Sequence, residues 1–264
     1  MKLSADELEK GQLSLETLSQ ALTLIQVAGY VVFERAIPED LIEALFNEHQ
    51  KIFDKYLENP DPTFGKNHYR TYLPFRKPFA DERVVANDFV IPLLNSLLGK
   101  DFVCHYLASN TCIPESELQP PHSDVYPLFP GTDIKPPPYH VVVNIPLVDV
   151  TEENGPIEFW GGGTNLNTFG MEEVEALAPY MSSQYATMPA GSIFIRDGRM
   201  WHRGTENRST APRPNLAMVY TRPWVDVGTR RIGIPQENYD ALSDRARTIF
   251  RQELVGGELD EIAD

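Results

Sequence analysis

The chain has 264 residues, 42 % hydrophobic and 23 % charged, enough for one large domain with a sizeable core or for two small ones. Its formal net charge of −15 excludes a surface built for nucleic acid or an anionic membrane, because either needs a basic face to neutralise phosphates. The start of the chain has no apolar h-region and no uncharged apolar run reaches membrane-spanning length, so a cytoplasmic location is expected.

Leu15 to Ala28 has helical apolar spacing, and Gly29 stops it before the β-prone run Tyr30 to Phe33. Pro38 opens a long helix in which Leu41, Ile42, Leu45, Phe46, Ile52, Phe53, Tyr56 and Leu57 recur at helical intervals, with His49 expected to be partly exposed on it. Asn59 to Ala80 reads as irregular. It carries Lys66, His68, Arg70, Arg76 and Lys77 against one acid, Asp61, and either closes over an anionic ligand or is an ordinary solvated loop. Val84 to Leu98 reads as a helix kinked at Pro92 and ended by Gly99.

The pattern then changes to short β-type runs: Phe102 to Ile113, Tyr139 to Val150, Ile157 to Trp160, Gln184 to Met188, Ser192 to Ile195 and Asn215 to Arg222. A helix over Glu172 to Tyr180 interrupts them. Strands that follow one another without alternating helices imply an antiparallel sandwich or barrel, hence a mainly β core with a helical N-terminal layer. A single domain over 1–264 is expected, with the helical layer mainly at 1–100, the β core at about 101–224, and a charged helix and acidic tail over 225–264. Cys104 and Cys112, eight apart in one expected strand, are too distant for a disulfide there and read as reduced core residues.

Of the six histidines only His122 is followed two residues later by an acid, Asp124. On an extended segment the two side chains point to the same side, so one metal ion can be held by both. The best third ligand is His202, just after an apolar strand-like run. Two His and one carboxylate on one face of a metal leave the opposite positions open, which suits non-haem Fe(II) and oxygen chemistry. Eleven residues on, Arg213 is either a bidentate clamp for a carboxylate or a surface residue in a Pro-flanked turn. In the strand before the Asn154-Gly155 turn, His140, Val142 and Asn144 share one face, and Asn144 either bonds a ligand or is a satisfied core amide.

The ordered set of Gly29-Tyr30-Val31-Val32, Pro121-His122-Ser123-Asp124, Leu147 to Pro156, and His202-Arg203-Gly204 with Asn207, Ser209 and Arg213 resembles the phytanoyl-CoA dioxygenase family of Fe(II)- and 2-oxoglutarate-dependent oxygenases. The resemblance runs from about Leu15 to Trp224. It implies a double-stranded β-helix core (jelly-roll, cupin-like) binding Fe(II) through His122, Asp124 and His202. It further implies that Arg213 grips the distal carboxylate of 2-oxoglutarate, that Asn144 contacts that cosubstrate, and that O2 is consumed with release of succinate and CO2. The Trp160 to Asn165 run departs from the family's usual Pro-Gly-Ser-His.

The implied partner is a small-molecule substrate, a natural product in preference to a CoA thioester, with no nucleic acid or membrane; no motif bears on the oligomeric state. Arg70, Tyr72, Tyr126 and Trp224 are the candidates for its pocket, each against a core reading; Phe129 and Trp201 are further ones. A halogenase of the same family is a second reading, opposed by Asp124. A non-catalytic cupin-type metabolite-binding barrel and a zinc hydrolase are readings from other classes.

Overall fold

The computed structural model describes residues 1–61, 65–166, 169–226, 228 and 230–259. The N-terminal layer begins with α1 (Ala5–Lys10) and α2 (Leu15–Ala28), each started by a serine whose hydroxyl accepts a backbone N–H of the first turn. Gly29, with φ 87°, ends α2 in the left-handed conformation and turns the chain directly into β1 (Tyr30–Phe33). α3 (Glu39–Tyr56) follows Pro38.

Three expectations for the helical layer are corrected. His49 is buried in α3, with Nε2 2.6 Å from Ser109 Oγ, so it belongs to the seam between helix and sheet. The stretch from Asn59 to Ala80 contains β2 (His68–Tyr72), an edge strand. Its polar His-Tyr-Arg-Thr-Tyr sequence hides a strand that an apolar alternation would have announced, and charged residues are common on such edges. Val84 to Leu98 is not one kinked helix but two, α4 (Glu82–Val85) and α5 (Ile91–Leu98). Asn87 makes the break, accepting from Phe89 N, and Pro92 sits in the first turn of α5, where its missing N–H costs nothing.

The β region is built from β3 (Val103–Cys112), β4 (His140–Pro146), β5 (Ile157–Trp160), β6 (Gln184–Tyr185), β7 (Ile193–Asp197), β8 (Trp201–Gly204) and β9 (Asn215–Thr221), with α6 (Met171–Leu177) between β5 and β6. β8, which carries His202, falls outside the β-type runs read from the sequence. Beyond it lie β10 (Gly233–Ile234), α7 (Gln236–Asp240), α8 (Asp244–Ile249) and β11 (Leu254–Val255); the acidic tail lies outside the described residues from 260 onward. Among the described residues, the strands form a six-stranded sheet in the order β1-β7-β4-β9-β3-β2 and a three-stranded sheet β6-β5-β8. Both are antiparallel throughout. This is the double-stranded β-helix expected, except that β1 and β2 are supplied from the first hundred residues.

Side-chain alternation divides the large sheet cleanly. Val31 and Phe33, Val141, Val143 and Ile145, Ile193 and Ile195, and Leu216 and Met218 face outward and pack under the helices with Ile25, Leu45 and Leu94. Full burial of each such aliphatic or aromatic side chain contributes about 1.5–3 kcal/mol. The opposite face turns toward the small sheet, where Phe194 meets Phe159, Met188 and Met200. Cys104 and Cys112 are both buried free thiols, as expected. Among the described residues, no helix is long and apolar enough to cross a membrane.

Candidate metal centre

His122, Asp124 and His202 come together because the short segment carrying the first two lies alongside β8. His122 and His202 pair in an antiparallel bridge, with mutual N–H···O bonds of 2.9 and 2.8 Å, and their rings stand 4.4 Å apart. Asp124 N donates to Gly198 O at 2.9 Å, fixing the carboxylate on the same side. Gly198 itself packs against the His140 ring: a Cβ there would lie 2.1 Å from His140 Nδ1.

One ligand atom from each of the three residues lies within 4.8 Å of the others. His122 Nδ1 is 2.9 Å from Pro120 O, and His202 Nδ1 is 3.0 Å from Met200 O. Donation of both Nδ1–H groups to carbonyls leaves each Nε2 with its lone pair, the state that binds a metal. Burial, then the nearby Arg196 guanidinium, lowers the His202 pKa to about 4, so this imidazole is neutral at physiological pH.

Asp124 opens onto the cavity and splits its two oxygens. Oδ1 is 3.5 Å from His202 Nε2, and Oδ2 is 2.6 Å from Arg196 Nη1. Burial works against its charge, but Arg196 first, then His202 and His122, hold its carboxyl well below the usual range. The donor set therefore fits a divalent transition metal: two neutral imidazoles and an ionised carboxylate on one side, open space on the other.

That space is a cavity of about 620 Å³. Arg213 lines it and is 4 % exposed, which overturns the surface-turn alternative. Just before β9, Arg213 bridges Cys112 at the end of β3; its Nε donates to Gly155 O at 3.1 Å and Nη1 to Asn110 O at 3.4 Å, holding the guanidinium against the cavity. Asn144 lines the same wall from the inner face of β4; its Nδ2 donates to Leu216 O at 3.3 Å, while its buried Oδ1 has no hydrogen-bond partner among the described residues.

The expected pocket residues divide. Arg70 lines the cavity from β2, its guanidinium 5.8 Å from the Tyr106 ring centre, and Tyr126 stands exposed at the mouth. Tyr72 lies behind Tyr106, 5.7 Å between ring centres. Trp224 lines a separate depression with Arg230 and Glu253, and Trp201 is buried against Trp160, Val174 and Ala178. Gly162 N, in the glycine-rich run after β5, donates to Ala28 O at the end of α2.

Sequence reasoning missed Arg196. The signal was present: in Ile193-Phe194-Ile195-Arg196-Asp197 a buried arginine occupies the inward-facing phase of an apolar strand, where an unpaired charge is costly.

Solved structures share this architecture. The non-haem α-ketoglutarate-dependent epimerase SnoN from nogalamycin biosynthesis superposes with a TM-score of 0.63 at 16 % identity, covering 82 % of this chain and 86 % of that one. The carbocyclase SnoK from the same biosynthesis gives 0.61 at 17 %, covering 80 % and 84 %. HygX from Streptomyces hygroscopicus, solved with nickel, 2-oxoglutarate and hygromycin B, gives 0.61 at 13 %, covering 80 % and 88 %. At these identities the likeness carries the fold. In sequence, the chain is 26 % identical over 187 residues to Dioxygenase af480 of Aspergillus fumigatus, a match spanning 70 % of this chain and 59 % of that relative's length. Residues 25–215 match the phytanoyl-CoA dioxygenase (PhyH) family, and the chain belongs to that family.

Proposed function

We propose that the protein is a non-haem Fe(II)- and 2-oxoglutarate-dependent oxygenase that hydroxylates or otherwise oxidises a small organic metabolite. The observation that carries this reading is the convergence of His122, Asp124 and His202 within 4.8 Å in the same cavity as the buried guanidinium of Arg213. The fold it shares with SnoK, SnoN and HygX supports it.

In this reading the three ligands hold Fe(II), which with 2-oxoglutarate and O2 supplies the oxidising power, releasing succinate and CO2. The chain's own residues bind and orient. Arg213 clamps the distal carboxylate through its planar fork, and the carbonyls of Gly155 and Asn110 hold that fork in place. Asn144 contributes an unpaired buried amide oxygen that a ligand, or water ordered by it, satisfies. The backbone acceptors at Pro120 and Met200 keep both imidazoles in the ligating tautomer.

A zinc hydrolase would use the same triad but has no role for Arg213, and a halogenase would lack Asp124. The deciding experiment is an anaerobic titration with Fe(II) and 2-oxoglutarate. A weak visible charge-transfer band, lost in His202→Ala, supports the reading. A protein that binds iron but develops no band with 2-oxoglutarate overturns it; where the band forms, substrate-stimulated succinate release identifies the substrate.

A further inference from the structure

A second chamber of about 500 Å³ adjoins the first, and Arg70, Asn110, Asp124, Tyr126 and Arg196 line both. The second chamber is walled by Tyr106, Tyr139, Val142 and Val219, so it is aromatic and apolar away from the metal ligands. Asp226 is its other acid and is exposed; Glu175, on the first chamber, is exposed as well.

Arg196 stands where the chambers meet and is 4 % exposed. Nη1 forms an ion pair with Asp124 Oδ2 at 2.6 Å, and among the described residues neither Nη1 nor the buried Nε has a hydrogen-bond partner. A buried guanidinium is costly unless it is paired and its donors are satisfied. Asp124 is the nearest counter-charge, and a metal held by Asp124 draws on that same charge. Fe(II) and the 2-oxoglutarate dianion would cancel one another, which would leave Arg196 and Arg213 against Asp124 and the exposed rim acids.

On the strength of the oxygenase reading, we propose that Arg196 is the anchor for a carboxylate on the oxidised substrate. The apolar or aromatic body of that substrate lies between Tyr106 and Tyr139, with Arg70 flanking the acid group. The substrate class is therefore a small apolar carboxylic acid, oxidised at a carbon close to its acid group because Arg196 touches a metal ligand. A planar carboxylate pairs with a planar guanidinium through parallel N–H···O bonds, and the phosphate probe below tests it against a tetrahedral dianion.

The test uses three probes that share a 2-phenylethyl body: 3-phenylpropanoate, its primary amide and 2-phenylethyl phosphate. Calorimetry on the anaerobic Fe(II) and 2-oxoglutarate complex is expected to give the acid at least tenfold tighter binding than the amide, with the phosphate weaker than the acid. Arg196→Met should abolish the preference and Arg196→Lys should retain part of it, with melting curves confirming that both are folded. Less than tenfold preference for the acid in the wild type, tighter binding of the phosphate, or an unchanged preference in folded Arg196→Met overturns the proposal. The same titration on metal-free Arg213→Ala protein reads the Arg196 site with the other anion site removed. Acid preference there, without any charge-transfer band in the wild type, sinks the oxygenase reading alone; a normal band without acid preference sinks the Arg196 assignment alone.

Discussion

Arg213 Nε donates to the carbonyl of Gly155 at 3.1 Å, so the guanidinium at the foot of the cavity is aimed by a backbone group 58 residues earlier in the chain. Gly155 itself has φ +81°, and a Cβ there would lie 2.6 Å from Cys112 Sγ and 3.1 Å from Thr205 O.

Arg213→Ala should raise the apparent KM for 2-oxoglutarate far more than the KM for substrate. Removing one partner of a buried, hydrogen-bonded charge pair costs about 2–5 kcal/mol, roughly 30- to 5,000-fold. Steady-state kinetics with each reactant varied in turn checks this, and an unchanged cosubstrate KM would return Arg213 to a structural role.

Gly155→Ala tests whether the aim of Arg213 matters as well as its charge. The substitution forces a left-handed backbone on alanine and overpacks against Cys112, costing about 1–3 kcal/mol of stability. Cosubstrate affinity should fall in the same variant while iron affinity holds, because the three ligands sit on other segments. Equal loss of iron and 2-oxoglutarate binding would mean general damage instead.

Asp124→Gly removes one negative charge and one coordination bond, leaving a two-histidine site with a vacant position. We expect loss of most iron affinity and of turnover, with chloride strengthening what binding remains by restoring the missing charge. Anaerobic iron titrations with and without chloride give the answer, and hydroxylation at the wild-type rate would falsify the ligand assignment.

His49 sets an acid limit on stability from the seam between α3 and the sheet. Burial lowers its pKa from 6.5 to about 4, so between those values the unfolded chain takes up a proton that the folded chain refuses. Its contribution is full above pH 6.5 and is lost as the pH falls toward 4, on the order of 3 kcal/mol. His140 and His202 are lowered in the same way and add to the slope. His49→Gln, whose amide can still bond Ser109, should remove about one proton from the pH dependence of the urea midpoint over this window. The wild-type slope in that variant would mean that His49 protonates freely in the fold.

What was legible in the sequence had short-range causes. The boundaries of α2 follow from its apolar period and Gly29, and the two faces of β4 follow from alternation, which put Val141, Val143 and Ile145 outward and Asn144 inward. The His-x-Asp pair could be read because its geometry is local. β2 was missed because its stability comes from pairing with β3, from His68 opposite Cys112 to Tyr72 opposite Ala108, and not from its own composition. Burial of His49 depends on Ser109, 60 residues away, and no helical period reports that. The break between α4 and α5 was set by the Asn87 side chain, which the apolar spacing of Val84 to Leu98 concealed.

The pair of main-chain bonds between His122 and His202 has a practical consequence. The ligands are held by strand pairing and by carbonyl acceptors that do not involve a cation, so emptying the centre with a chelator should leave the fold intact. That distinguishes the protein from small zinc domains, whose folding energy is largely the binding energy of the ion. Stripped material should accept cobalt, nickel or manganese into an unchanged scaffold, making the protein an interchangeable holder for spectroscopic ions that need not be handled without air.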